Sequence, residues 1–194
     1  MKENVKPGDF TALANNYSVS RPDYCPKVLR AISRYLGKSL SSVDCADVGA
    51  GTGIWTRMVN ALDVRSTIAI EPNKEMLKFG SEDSLNQNII WKEGSAEKTS
   101  LPSNSIHWLS MASSFHWADT NAALQEFNRV LHPGGLLSLV WNPRRIQKGG
   151  IIQEIEKFIK ELKPDLQRVS SGYSQFTDDL YDLLTNHALF EDVV

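Results

Sequence analysis

The sequence predicts an α/β fold, a doubly wound and mostly parallel sheet with helices on both faces. Two observations carry that expectation. Short runs rich in β-branched and apolar residues alternate along the chain with segments whose apolar residues recur at helical spacing. A glycine cluster, Gly49-Ala50-Gly51-Thr52-Gly53, stands between the first such run and the helix after it. Alternation of this kind implies parallel pairing with right-handed crossovers.

Taken in order, residues 1–25 read as a polar lead-in, or lid. Pro26 then opens a helix to Leu36, since a proline in the first turn loses no intrahelical bond, and Gly37 stops it. Ser42–Val48 reads as the first strand, Ile54–Leu62 as a helix and Arg65–Ile70 as the second strand, ending at Glu71-Pro72. A helix starts over Lys74–Phe79, and Asn88–Lys92 and Ile106–Met111 are the third and fourth strands. Asn121–Leu131 is a helix with Asp119 expected to cap it. His132-Pro133-Gly134-Gly135 reads as a tight turn before a fifth strand, Leu136–Trp141. Ile151–Leu162 and Asp178–His187 are amphipathic helices, and Phe190–Val194 is a sixth strand. There is no internal repeat, so residues 1–194 are expected to form a single domain, with 143–187 a helical cover over a substrate pocket.

Composition narrows the function. The chain has 194 residues, 41% hydrophobic and 23% charged, with a formal net charge of −2. That balance fits a globular protein and gives no general attraction for a polyanion, so nucleic acid is not expected as a partner. No stretch approaches the roughly 20 apolar residues of a membrane span, and the start of the chain has no apolar leader. A cytoplasmic protein without membrane attachment is the expectation, acting as a monomer or homodimer. Cys25 and Cys45 are the only cysteines, and no Cys/His spacing suits a metal. Cys45, within an apolar run, reads as core.

The chemistry concentrates around the glycine cluster. Gly49, Gly51 and Gly53 permit backbone angles closed to other residues and let a ligand lie against main chain. The helix that follows adds free N–H groups. Glu71, at the end of the next strand and about 20 residues past the loop, is placed to accept hydrogen bonds from ribose hydroxyls. The third glycine falls one position early for a dinucleotide fingerprint, and no Gly-Lys-Ser/Thr ending marks a phosphate loop. Asp47 just ahead of the glycines suits an ammonium group better than a pyrophosphate. Together these features favour S-adenosylmethionine, with an NAD-dependent oxidoreductase as a weaker reading.

Asp47-Val48-Gly49-Ala50-Gly51-Thr52-Gly53 resembles the first motif of class I methyltransferases. Ala69–Leu77 resembles their second, and Gly94-Ser95-Ala96-Glu97 followed by Leu101-Pro102 their third. Phe115-His116-Trp117 and Glu126–Gly135 resemble later motifs of the type 11 subfamily, which includes trans-aconitate and ubiquinone-pathway enzymes. The resemblance spans about Tyr17 to Asn142 and implies a Rossmann-like domain that methylates a small-molecule acceptor. It implies S-adenosylmethionine as cofactor, S-adenosylhomocysteine as product, and no metal.

Carried to this chain, the resemblance implies that Asp47, Gly49, Ala50, Gly51 and Gly53 face the methionine end. Glu71 would hold the ribose, with Pro72, Asn73, Met76, Ser95, Ala96 and Glu97 around the adenine. Tyr17 and Arg21 match a Tyr…Arg-Pro pattern that closes over the cofactor. His116 is expected to wall the acceptor pocket and, with Tyr17, to be a candidate base. Arg144 and Arg145 read as a solvated basic loop, with clamping of a carboxylate substrate the alternative.

Three departures from the family pattern stand out. Ser95 and His107 replace frequent aspartates, and relatives usually continue into a seventh, antiparallel strand. A sheet incomplete at its C-terminal strands, as in a shortened gene product, is therefore expected. These departures motivate a second reading, a non-catalytic cofactor-binding module or degraded paralogue.

Overall fold

The computed structural model describes residues 21–142, 148–166 and 175–194. Tyr17, Arg144 and Arg145 lie outside the described residues. The chain divides into two compact units, Met1–Val140 and Trp141–Val194.

The first unit is built on a five-stranded sheet in the order β3-β2-β1-β4-β5. The strands are β1 (Asp44–Val48), β2 (Ser66–Glu71), β3 (Ile89–Glu93), β4 (Ile106–Ala112) and β5 (Leu131–Val140). Every pairing is parallel: Asp47 lies opposite Ala69 on β2 and Ser110 on β4, and Ala69 lies opposite Trp91 on β3. From β1 the chain steps outward twice, to β2 and β3, then returns to β4 and steps the other way to β5. Right-handed crossovers therefore place the two sets of connecting helices on opposite faces. The first set holds α2 (Ile54–Asn60) and α3 (Lys74–Glu82), and the second holds α4 (Thr120–Val130). Ahead of β1 lies α1 (Pro26–Arg34), which packs on α2.

The sequence explains these elements locally. Four of the five β1 residues are buried, as a central parallel strand requires. Pro26 opens α1. The Asn73 side chain accepts the N–H groups of Glu75 and Met76 at 3.1 Å each and caps α3. Asp119 caps α4 by accepting from Ala122 N at 2.9 Å. The core around β1 includes Leu29, Val43, Cys45, Trp55, Val59 and Trp108. Cys45 is 2% exposed, so its thiol is a core group, pushed up to about 12 by burial.

Two sequence expectations are corrected. His132-Pro133-Gly134-Gly135 is not a turn between elements but part of β5. Ile106 pairs with Leu131 and Trp108 with Leu136, so the four residues between bulge from the ladder, with Gly134 at φ 70°. Phe190–Val194 is not a strand. A strand persists only where its backbone groups find a partner ladder, and none of the described strands pairs with it. The second unit contains the expected helix α5 (Ile151–Leu162) and α6 (Gln175–Thr185). Among the described residues no helix is long and apolar enough to cross a membrane.

Gly80 of α3 shows how tightly one helix is fitted. A Cβ there would fall 2.7 Å from Trp91 Cζ2 and 2.8 Å from its Cζ3. Gly80→Ala gains about 1 kcal/mol of helix propensity but forces the indole aside at a cost of about 1–3 kcal/mol. A net destabilisation is expected in urea titration; an unchanged midpoint would contradict this packing.

Candidate cofactor site

Apart from Tyr17, outside the described residues, and Arg21, ahead of α1, the sequence-predicted site residues come from the C-terminal ends of four adjacent strands. The glycine loop leaves β1, Glu71 ends β2, Ser95–Glu97 follow β3 and His116 follows β4. They share one edge of the sheet, at the point where the strand order reverses on either side of β1, which is where open α/β sheets bind ligands.

The loop is shaped by what each glycine faces. A Cβ on Gly49 would meet Ser114 Oγ at 2.7 Å, and one on Gly53 would meet Trp91 Cζ2 at 2.8 Å. Those two glycines are closed by protein. Gly51, at φ 58°, has no heavy atom within 4 Å of its Cβ position, so its bare backbone borders open space. The loop is tied down by Gly49 N and Ala50 N, which donate to Ile70 O at 2.8 and 3.0 Å. Thr52 is buried, and its hydroxyl has no hydrogen-bond partner among the described residues.

Glu71 completes the rim of the loop. Its Oε2 accepts from Gly51 N at 2.7 Å and its Oε1 from Asn73 N at 2.9 Å. Burial raises its pKa while these two N–H donors oppose the shift. Each oxygen keeps a second lone pair, enough to receive a pair of hydroxyls. Pro72 is exposed, Met76 is 3% and Ala96 6% exposed, and the Asn73 amide is engaged in capping α3. Against the burial that would raise it, the Glu97 carboxyl is held low by the Ser95 hydroxyl and the Asp119 N–H, the latter at 2.8 Å. Beside these residues opens a cleft of about 420 Å³ lined by Pro72, Glu93, Gly94, Ser95, Lys98 and Ser100.

Asp47 is placed differently from Glu71. It is 2% exposed, with Thr56 Oγ1 donating to its Oδ2 at 2.6 Å. Ser110 Oγ reaches its Oδ1 at 3.4 Å and itself accepts from Trp55 Nε1 at 3.0 Å. Burial pushes the Asp47 carboxyl up to about 7, against the hydrogen bonds from Thr56 and Ser110. Asp47 therefore sits beneath the loop rather than in the open space beside Gly51.

His116 lies in the short turn Phe115–Trp117 after β4, its ring 4.6 Å from that of Trp117. Desolvation and then the nearby Arg21 charge lower its pKa, so the imidazole is neutral and able to accept a proton at neutral pH. The Arg21 charge also acts on the Tyr24 hydroxyl, which donates to Ser113 Oγ at 2.9 Å. Sequence reasoning singled out neither Tyr24 nor Ser113, nor the Thr56 and Ser110 hydroxyls under Asp47. The spacing of Thr56, nine residues after Asp47 across the loop, is the one local signal. Among the described residues no group of three or more His, Cys, Asp or Glu could hold a metal ion.

Comparisons with known proteins point to methyltransferases. Residues 46–139 match the model of a methyltransferase domain. An uncharacterized methyltransferase of Mycobacterium tuberculosis is 37% identical over 152 residues, 77% of this chain and 58% of the relative. The ubiquinone/menaquinone biosynthesis C-methyltransferase of Campylobacter jejuni is 32% identical over 152 residues, 73% of this chain and 61% of the relative. The chain thus spans about three fifths of the length of these curated relatives. A Methanococcus maripaludis protein, solved as a candidate S-adenosylmethionine-dependent methyltransferase, shares the fold. Its TM-score is 0.63 at 23% identity, over 85% of this chain and 77% of that one. Motifs, sheet order and relatives converge: residues 46–139 match a methyltransferase domain, and the chain has the α/β, Rossmann-like fold of solved methyltransferases.

Proposed function

We propose that this chain binds S-adenosylmethionine along the glycine loop and transfers its methyl group to a small-molecule acceptor, leaving S-adenosylhomocysteine. The observation that carries the reading is Gly51: flanked by two glycines closed by side chains, it alone of the three borders open space, with the Glu71 carboxylate on its N–H. That is a cradle for a ligand laid against backbone, with a sugar-binding acid beside it.

In this reading Glu71 receives the ribose hydroxyls. Met76 and Ala96 supply apolar surface for the adenine, with Pro72, Asn73, Ser95 and Glu97 around it. The loop from Gly49 to Gly53 receives the methionine end above Asp47, and Tyr17 and Arg21 close the entrance. When bound, the cofactor supplies a methyl carbon already activated by a sulfonium; the protein's work is orientation and exclusion of water. His116 walls the acceptor side and, neutral at physiological pH, takes a proton from acceptors that must lose one.

A second reading is a cofactor-binding module without turnover. The Ser95 hydroxyl favours it, since it bonds Glu97 and is not reserved for the adenine.

Calorimetry with S-adenosylhomocysteine tests the proposal. A Kd of about 1–100 μM is expected, weakened about tenfold in Glu71→Gln, where an amide can no longer accept at both oxygens. Stabilisation by NAD and not by S-adenosylhomocysteine would overturn the reading. Binding without turnover across a broad acceptor panel would favour the module.

A further inference from the structure

The turn after β4 is held in a conformation it would not choose alone. Ser113 has φ 57°, left-handed for a residue with a side chain, a strain of about 1 kcal/mol or more that persists only where the surroundings over-determine it. Three contacts do so. Ser113 N donates to Val140 O on β5 at 2.7 Å. Ser114 Oγ donates to Val48 O on β1 at 3.2 Å and fills the space beside Gly49. The third contact is remote in sequence: Tyr24 Oη donates to Ser113 Oγ at 2.9 Å across 89 residues.

Tyr24 is fitted for that contact. It is 6% exposed, and its ring packs edge-on to Trp55 with centroids 5.2 Å apart. Burial raises its pKa, which keeps the phenol protonated as a donor. Arg21, whose charge opposes the burial-raised pKa of this hydroxyl, also acts on His116. One phenol thus joins the segment ahead of α1 to the turn that carries His116.

We propose that Tyr24 is a positioning residue: by clamping Ser113 it fixes the turn that presents His116 to the acceptor side of the site. The acceptor-side role of His116 rests on the proposed methyltransferase reading; the clamp itself rests on the contacts above. The ring provides core packing, and the hydroxyl provides the placement.

Tyr24→Phe in the full chain separates the two, because it keeps the ring and deletes the hydroxyl. Imidazole resonances followed by NMR across pH report His116 directly. The wild-type His116 is expected to titrate below the ordinary histidine value, and in Tyr24→Phe its pKa moves up toward that value as the turn opens to water. His107, on β4 at the opposite edge of the sheet, keeps its titration. Ser113→Ala retains the strained φ and removes the acceptor oxygen, so it reproduces the His116 change. The double variant adds nothing further, as expected of two ends of one bond. S-Adenosylhomocysteine affinity stays within about threefold of wild type.

A folded Tyr24→Phe protein with lowered thermal stability but an unmoved His116 titration would overturn the inference and leave Tyr24 a packing residue. Should Tyr24→Phe not fold, the same unmoved titration in Ser113→Ala overturns it equally. Failure of the wild-type chain to bind S-adenosylhomocysteine overturns the cofactor reading instead, a result read in calorimetry and not in the His116 titration.

Discussion

Replacing Gly51 by valine is expected to lower the affinity for S-adenosylhomocysteine by about a hundredfold or more, or about 2.7 kcal/mol, while the chain remains folded. The new side chain projects from the only one of Gly49, Gly51 and Gly53 whose Cβ position faces open space, so it meets no protein and occupies ligand volume. The left-handed φ of 58° adds strain, about 1–2 kcal/mol for a residue with a Cβ. That cost is a fraction of ordinary domain stability of about 5–15 kcal/mol. The hydrogen bond from Gly51 N to Glu71 uses backbone and survives the substitution. Gly51→Ala separates the two effects, carrying the same backbone strain with less volume. Its affinity is expected between those of wild type and Gly51→Val. Retained affinity in a folded Gly51→Val protein would place the cofactor elsewhere.

The contrast between Gly51 and its neighbours marks what sequence reading reaches. The loop, the acid after the next strand and the cap at Asp119 are local patterns, set by residue type and spacing, and each lies where its pattern predicts. Contacts between elements are not local. Nothing near Tyr24 in the chain announces Ser113, because that bond depends on how α1 and the β4 turn meet on the folded sheet. The bulge in β5 escaped because a Pro-Gly-Gly run reads as punctuation, while only the partner strand shows that Leu131 already pairs with Ile106. Phe190–Val194 has the composition of a strand, but composition does not supply a neighbour. Asp47 is the most instructive residue, since its motif position was legible and its environment was not.

That environment makes a second large effect measurable. A carboxyl pushed from 3.8 to about 7 by burial stays protonated in the folded chain at pH values where the unfolded chain has already released the proton. The sign follows directly. Between the two values the folded state binds more protons, so this group's contribution is fully present below pH 4 and is lost as pH rises toward 7. The shift corresponds to about 4 kcal/mol at 1.36 kcal/mol per unit. Other groups act in the same range. Glu71, also raised by burial, has the same sign, whereas His107 and His116, both lowered by desolvation, lose stability as pH falls. Asp44, held at about 2 chiefly by Arg65, contributes fully above about pH 5. The difference between wild type and Asp47→Asn cancels these terms. Asparagine keeps an acceptor for Thr56 and cannot ionise, so the variant is expected to gain about 4 kcal/mol relative to wild type between pH 4 and 8. Urea titrations at each pH measure it. A bound ammonium group above the loop would favour the ionised form of Asp47, so S-adenosylhomocysteine affinity is expected to rise with pH through 7 in wild type and to lose that slope in Asp47→Asn. A stability difference that is flat with pH would mean that Asp47 is charged beneath the loop throughout, and the site would then carry a permanent negative charge rather than one that a cationic ligand draws out.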